Sequence, residues 1–190
     1  MSSDERVQRL PEALVAAAQR GDAAAQARLF DQHKASVAAH VQRMTGDPSA
    51  VDDLVQEVFI AAFTALPGFR GDAQFGTWLY RIAVNKVRNY WDSDRRRRRR
   101  EDRSLAHASE APSQPDESYE QAEHRERLYA AMDRLPHKLR EAFVARAVEG
   151  MSLAEASEAL GAPVSTVSYR TRRAEALLVE LLELDSEVSS

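Results

Sequence analysis

Apolar residues recur at three- and four-residue intervals along most of this chain, while glycine and proline fall between the periodic runs and not inside them. That pattern predicts an all-α fold. Two helices are expected over residues 11–20 and 22–43, separated at Gly21. The breakers Gly46 and Pro48 then interrupt the pattern, and Ser49 is positioned to cap a third helix reaching about Leu66, with Asp52 in its first turn. Pro67 and Gly68 end it, residues 69–74 form a loop, and a long helix is expected from Phe75 through the run Arg95–Arg100. Between Ser104 and Ser118 the periodicity stops: alanine, serine and acidic residues dominate, and Pro112 and Pro115 block a helix. This reads as a flexible linker between two small helical domains, residues 1–103 and 119–190, with the linker at 104–118. The second domain holds about four helices, broken near Pro136 and Gly150.

The last two of those helices carry the clearest chemical pattern. Ser152 and Glu155 have the spacing of a capping box, Gly161 suits the left-handed end of a short helix, and Pro163 fits the first turn of the next. In that next helix Val164, Val167, Thr171 and Ala174 are expected to face inward. Ser165, Tyr169 and Arg172 form one outward row, and Thr166, Arg170 and Arg173 form the next. Small polar side chains followed by arginines suit a helix in the major groove, where base edges and phosphates are both in reach. The plainer alternative is a helical hairpin with a solvated basic face.

Charge sharpens the picture. The chain carries 26 basic and 30 acidic side chains, a net charge of −4. Residues 92–103 hold seven basic against four acidic groups, whereas residues 104–126 hold one against six. Positive charge is therefore local, which argues against a general nucleic-acid coat and leaves the remainder for solubility or protein partners. With no cysteine there are no disulfides or thiolate metal sites. No apolar run approaches the roughly 20 residues of a membrane span, so membrane insertion is not expected, and a polar beginning without a secretory pattern points to the cytoplasm. The five histidines are scattered, His33 and His40 are too far apart for the usual i, i+4 metal pair, and no phosphate loop or nucleophile elbow is present. Neither an enzyme nor a metal or cofactor site is expected.

Two faces in the first domain look functional. In the helix over 49–66, Val51, Leu54, Val55, Val58, Phe59, Ala62 and Leu66 make the inner stripe. Asp52, Asp53, Gln56 and Glu57 lie outside it beside Ile60, and an outward isoleucine within an acidic patch suits a basic protein partner as well as it suits plain solvent. Downstream, residues 69–89 interleave aromatics with the cations Arg70, Arg81, Lys86 and Arg88 and the amides Gln74, Asn85 and Asn89. Unpaired nucleic acid is bound by that mixture of stacking faces, cations and edge-reading amides, although the spacing of Trp78 favours packing over base contact. The arginine run could meet phosphates without reading sequence.

Two segments of this kind resemble one family. Asp52, Asp53, Leu54, Val55, Gln56, Glu57, Val58 and Phe59, then Leu66 to Asp72, then Phe75 to Asn85, resemble region 2 of bacterial RNA polymerase sigma factors, in the extracytoplasmic-function (ECF) subgroup. Leu135 to Phe143, Val148 to Gly150 and the helix-turn-helix resemble region 4 of the same subgroup. The resemblance implies two helical domains, region 2 and region 4, that bind core RNA polymerase through its β′ and β subunits and direct it to promoter DNA. It implies that Asp52, Asp53, Gln56 and Glu57 meet the β′ clamp helices. Phe69, Arg70, Gly71 and Asp72, with Arg81, Asn85, Lys86 and Asn89, would read the unpaired −10 element. Ser165, Thr166, Ser168, Tyr169, Arg170, Arg172 and Arg173 would read the −35 duplex, and the acidic linker would thread toward the RNA exit channel. An anti-sigma factor is an expected partner. The recognition helix departs from the family pattern: Ser165, Thr166 and Val167 stand where glycine, threonine and valine are usual, and Ser168 and Tyr169 follow in place of a basic residue and serine. Other readings of the residues are a stand-alone regulator with a helix-turn-helix, which leaves residues 69–89 without a task, and a sigma-mimicking adaptor that binds a partner without initiating transcription.

Overall fold

The computed structural model describes residues 13–101 and 127–188, with side chains excepted at 95–101 and 184–188. All regular structure among the described residues is helical. Helix α1 covers 13–19, and α2 covers Ala23–Thr45, where Asp22 caps the start by accepting from the amides of Ala24 and Ala25 at 2.9 and 3.1 Å. Gly46 ends α2 in the left-handed region at φ 65°. Helix α3 covers Val51–Ala65 and is preceded by a single tight turn, Pro48–Ala50. The cap here is Asp47, not Ser49: the Asp47 carboxylate accepts from the Ser49 amide at 3.0 Å, from its hydroxyl at 2.6 Å, and from Tyr90 Oη at 2.6 Å. The proline turn extends the helix start backward, so the capping role moves upstream with it.

A second tight turn, Leu66–Gly68, leads to the loop, and α4 runs over Phe75–Glu101 through the arginine run, as the pattern predicts. In the second half, α5 covers 127–133 and α6 covers His137–Phe143, continuing through a wider π-type stretch at Val144–Val148. Helix α7 covers Leu153–Leu160 and α8 covers Val164–Val188. Segments 102–126, 1–12 and 189–190 lie outside the described residues, and with them the expected linker at 104–118 and the start of the second domain at Tyr119.

Helices α2, α3 and α4 pack on one another around Val41, Val58, Ala62, Val84 and Val87. Helix α1 closes the other end over Leu29 and Leu66, against Phe63, Phe69, Phe75 and Trp78. In the second half α6, α7 and α8 surround Ala142, Val144, Leu160, Val167 and Ala174. One inward expectation fails: Val164 is 46% exposed, at the first position of α8, where no preceding helical turn covers it.

The two halves are not separate bodies. Helix α4 packs on α7, and α2 packs on α6. The join is rich in charge. Arg88 on α4 makes a two-pronged ion pair with Glu141, both bonds 2.7 Å, and donates to the carbonyl of Leu160 at the end of α7 at 3.0 Å. Arg140 on α6 returns the arrangement: it donates to the carbonyl of Met44 in the last turn of α2 at 2.8 Å and pairs with Asp133 at 2.9 Å. Each half thus supplies an arginine to a helix end of the other, where carbonyls lack helical partners and the dipole favours a cation. His40 and Arg43 on α2 both meet Glu149, at 3.2 and 2.8 Å, and Trp91 stacks on His137 at 3.9 Å. The periodicity of the sequence predicts two helical units and none of these long-range pairings.

Candidate nucleic-acid and partner interfaces

Helix α3 buries Leu54, Val55, Val58, Phe59 and Ala62 and leaves Asp52, Asp53, Gln56 and Glu57 exposed on the opposite side. Ile60 is 66% exposed beside them, against the usual fate of a large apolar side chain. Asp52 and Asp53 stand in the first turn, where the helix dipole favours their charge. Glu57 is engaged on one side by Lys86 of α4 at 3.1 Å. That contact places the acidic face directly beside the residues expected to meet DNA.

The loop before α4 is built on packed aromatics. Phe69, Phe75 and Trp78 form a cluster with ring separations of 5.0–6.0 Å, and all three are half-buried. Gln19 of α1 fixes the loop entry by donating to the carbonyls of Phe69 at 2.7 Å and Leu66 at 3.2 Å. From that anchor Arg70, Gly71 and Asp72 project into solvent, and Gly71 turns the backbone at φ 77°, a conformation that disfavours any side chain. On α4 the exposed residues Arg81, Asn85 and Asn89 stand one turn apart in a single row, with Lys86 half-buried beside them. Phe69 and Trp78 therefore serve as the floor of this surface. Arg88, grouped with the nucleic-acid cations by sequence, is committed instead to Glu141, and the side chains of Arg95–Arg100 lie outside the described residues.

The helix-turn-helix forms as the sequence predicts. Ser152 accepts from the Glu155 amide at 3.2 Å, and Glu155 returns the bond to the Ser152 amide at 2.8 Å, which holds the Glu155 carboxyl below its usual range. Gly161 closes α7 at φ 61°. Pro163 sits just before α8, one position earlier than the first turn, and its carbonyl accepts from Val167. Ser165, Tyr169, Arg172 and Arg173 are exposed; Thr166, Ser168 and Arg170 are half-buried. Tyr169 is 62% exposed. Arg172 folds back on the Ser168 carbonyl at 3.4 Å, a long and weak contact that leaves it available. Val167 and Thr171 point inward, Thr171 donating to the Val167 carbonyl at 3.0 Å.

A cavity of about 290 Å³ lies on the seam between α2, α4 and the turn before α7, with His33, His40, Tyr80 and Glu149 among its walls. Burial is the main cause holding His40 below the usual imidazole range, and burial drives the Tyr80 hydroxyl well above its ordinary value. Among the described residues no group of acidic or histidine side chains could hold a metal ion, and no helix is long and apolar enough to cross a membrane.

The family described as Sigma-70 region 2 matches residues 29–98, and that described as Sigma-70, region 4 matches residues 125–178. The chain is 37% identical over 171 residues to the ECF RNA polymerase sigma-E factor of Escherichia coli strain K12, covering 85% of this chain and 88% of that protein. It is 32% identical over 178 residues to the RNA polymerase sigma-H factor of Pseudomonas aeruginosa, covering 90% and 92%. Among solved structures, CnrH in complex with the cytosolic domain of CnrY superposes with a TM-score of 0.69 at 29% identity, covering 92% of this chain and 98% of that one. A sigma factor RpoE bound to the anti-sigma factor NepR from Bartonella quintana shares the fold, with a TM-score of 0.67 at 22% identity over 83% and 96% of the two chains.

Proposed function

This chain belongs to the ECF sigma factors of bacterial RNA polymerase, proteins that direct transcription initiation and are not enzymes, and on that premise we propose how its surfaces divide the work. The acidic face of Asp52, Asp53, Gln56 and Glu57, with Ile60 at its centre, docks on a basic helical surface of the core enzyme, the β′ clamp, while the β subunit takes the second half. The loop Arg70–Asp72 over its Phe69 floor, with Arg81, Asn85, Lys86 and Asn89, holds the unpaired −10 strand. Cations take phosphates, and the amides take base edges or a flipped base. The helix α8 lies in the −35 major groove, with Ser165, Thr166, Tyr169, Arg172 and Arg173 toward bases and Ser168 and Arg170 toward the backbone. The protein works in the cytoplasm, and an anti-sigma factor holds it inactive, as NepR and CnrY bind proteins of similar fold.

The observation that carries this reading is the exposed row Arg81, Asn85 and Asn89 beside a loop anchored on aromatics, immediately next to an acidic helix face. Asp53→Arg is expected to weaken core binding by about 1–3 kcal/mol while leaving affinity for a −10 single strand unchanged. Asn85→Ala is expected to do the reverse. Binding titrations of both variants against core enzyme and against the oligonucleotide separate the two surfaces. A shared loss in both assays would remove the assignment.

A further inference from the structure

The loop before α4 is anchored from a helix outside the stretch that the region 2 family matches. That family matches residues 29–98, and α1, over 13–19, precedes it. The inner side of α1 is packed, with Val15 and Ala18 buried against Leu29 and Leu66. Its end is tied to the start of α2: Gln26 donates to the Ala18 carbonyl at 3.2 Å, and the Asp22 amide donates to the Ala17 carbonyl at 3.2 Å. On this fixed turn stands Gln19, half-buried, whose carboxamide nitrogen donates to the carbonyls of Leu66 at 3.2 Å and Phe69 at 2.7 Å. Only the nitrogen of a carboxamide carries protons, so two carbonyl partners define which end faces them. The two carbonyls bracket the tight turn Leu66–Gly68, and the Leu66 carbonyl also accepts from the Phe69 amide at 3.0 Å. The peptide from Phe69 to Arg70 is planar and trans, so a Phe69 carbonyl turned toward α1 sends the Arg70 amide the opposite way.

We propose that Gln19 is a positioning residue for −10 reading: by holding the Phe69 carbonyl it fixes the direction of the peptide that enters Arg70–Asp72, and so decides which bases that loop accepts. This rests on the −10 surface assigned above. The loop has little to hold its own shape, because Arg70, Gly71 and Asp72 are all exposed and Gly71 sits at φ 77°. Packing of the Phe69 ring on Phe75 and Trp78 fixes the side chain but leaves the following peptide plane free to turn about its flanking bonds. The bond from Gln19 removes that freedom before any nucleic acid arrives. Telling one base from another requires donors and acceptors held within a fraction of an ångström, whereas attraction to phosphates does not. Gln19 acts through the loop backbone, so its contribution belongs to base preference and not to the general affinity for a strand.

The test uses holoenzyme assembled from core enzyme and the full chain, with a randomised pool of single-stranded DNA as the probe at fixed salt, so that overall affinity and preferred bases are read together. Gln19→Met keeps the length of the side chain and removes both donors. It should reduce discrimination at one or two adjacent −10 positions by about tenfold, within the range one base contact supplies. Affinity for core enzyme and the salt dependence of strand binding should stay as in wild type. Gln19→Lys, with three donors and no acceptor, should restore much of the wild-type preference. Gln19→Glu, of the same shape but with oxygens against the carbonyls, should lose at least as much as Gln19→Met. A wild-type preference in Gln19→Met, or a loss shared equally by all sequences, would overturn the role and leave Gln19 a plain brace of the turn. If circular dichroism shows Gln19→Met unfolded, Gln19→Lys against Gln19→Glu decides, and equal preference in the two would overturn it. A wild type without base preference in the pool would instead remove the −10 reading beneath it.

Discussion

His40 shows how a single side chain escapes sequence reasoning. Its spacing from His33 excludes a metal pair, and nothing in its neighbourhood on α2 marks it. It is buried because the tilted ring of Tyr80 packs against it at 4.0 Å and Glu149, far away in sequence, closes over it. Burial foremost, and then Arg43, lower its pKa below 6.5, against the partial pull of Glu149 in the other direction. For Glu149 burial raises the pKa, but His40 and Arg43 together bring it below 4.5. The signs agree. Neutral His40 supports the packed seam fully above about 6.5, and that support is lost as pH falls toward its lowered pKa; ionised Glu149 adds support above 4.5 that is lost as pH falls through its own depressed value. Tyr80, whose hydroxyl burial drives well above its ordinary value, stays neutral throughout and does not reverse the trend. The stability of the packed chain is therefore expected to fall as pH drops below about 6.5, and thermal melts across that range check it. His40→Gln should flatten this step, and a wild-type stability that does not change below pH 6.5 would contradict it.

Helices were legible where local chemistry decides them. The capping box of α7, the glycine after it, the proline-glycine stop after α3 and the inner stripe of α3 all depend on residues a few positions apart, and all form as the pattern predicts. Ser49 and Val164 were misplaced because helix starts depend on one residue of extension, and a proline turn before α3 and the open first turn of α8 shift that boundary. The turn of the helix-turn-helix supplies a direct stability test. At Gly161 a Cβ would meet nothing within 4 Å, so Gly161→Ala adds only the left-handed backbone strain at φ 61°. A loss of about 1–2 kcal/mol is expected, seen as a fall of several degrees in Tm. A variant as stable as wild type would mean that the turn tolerates other geometries, and with them other placements of α8. The candidate faces were legible for the same local reason: Asp53 and Glu57, or Arg81 and Asn85, share a helix face by spacing alone. Arg88 was not, since the same spacing that groups it with DNA cations hides that Glu141 holds it.

At the scale of the molecule, sequence periodicity gives two helical units but says nothing of how they meet. Arg88 finds Glu141 across 53 positions and Arg140 finds Met44 across 96, and no local pattern encodes such pairings. This chain should direct initiation through the surfaces of α3, α4 and α8. Run-off transcription with purified core enzyme and a fragment library, with start sites mapped, tests that most directly. Transcripts should begin at fixed sites only when the chain is present, downstream of a shared pair of motifs, and Arg172→Ala or Arg173→Ala should relax the upstream motif. Start sites independent of the chain, or dependent on it without any shared upstream pair, would contradict the account.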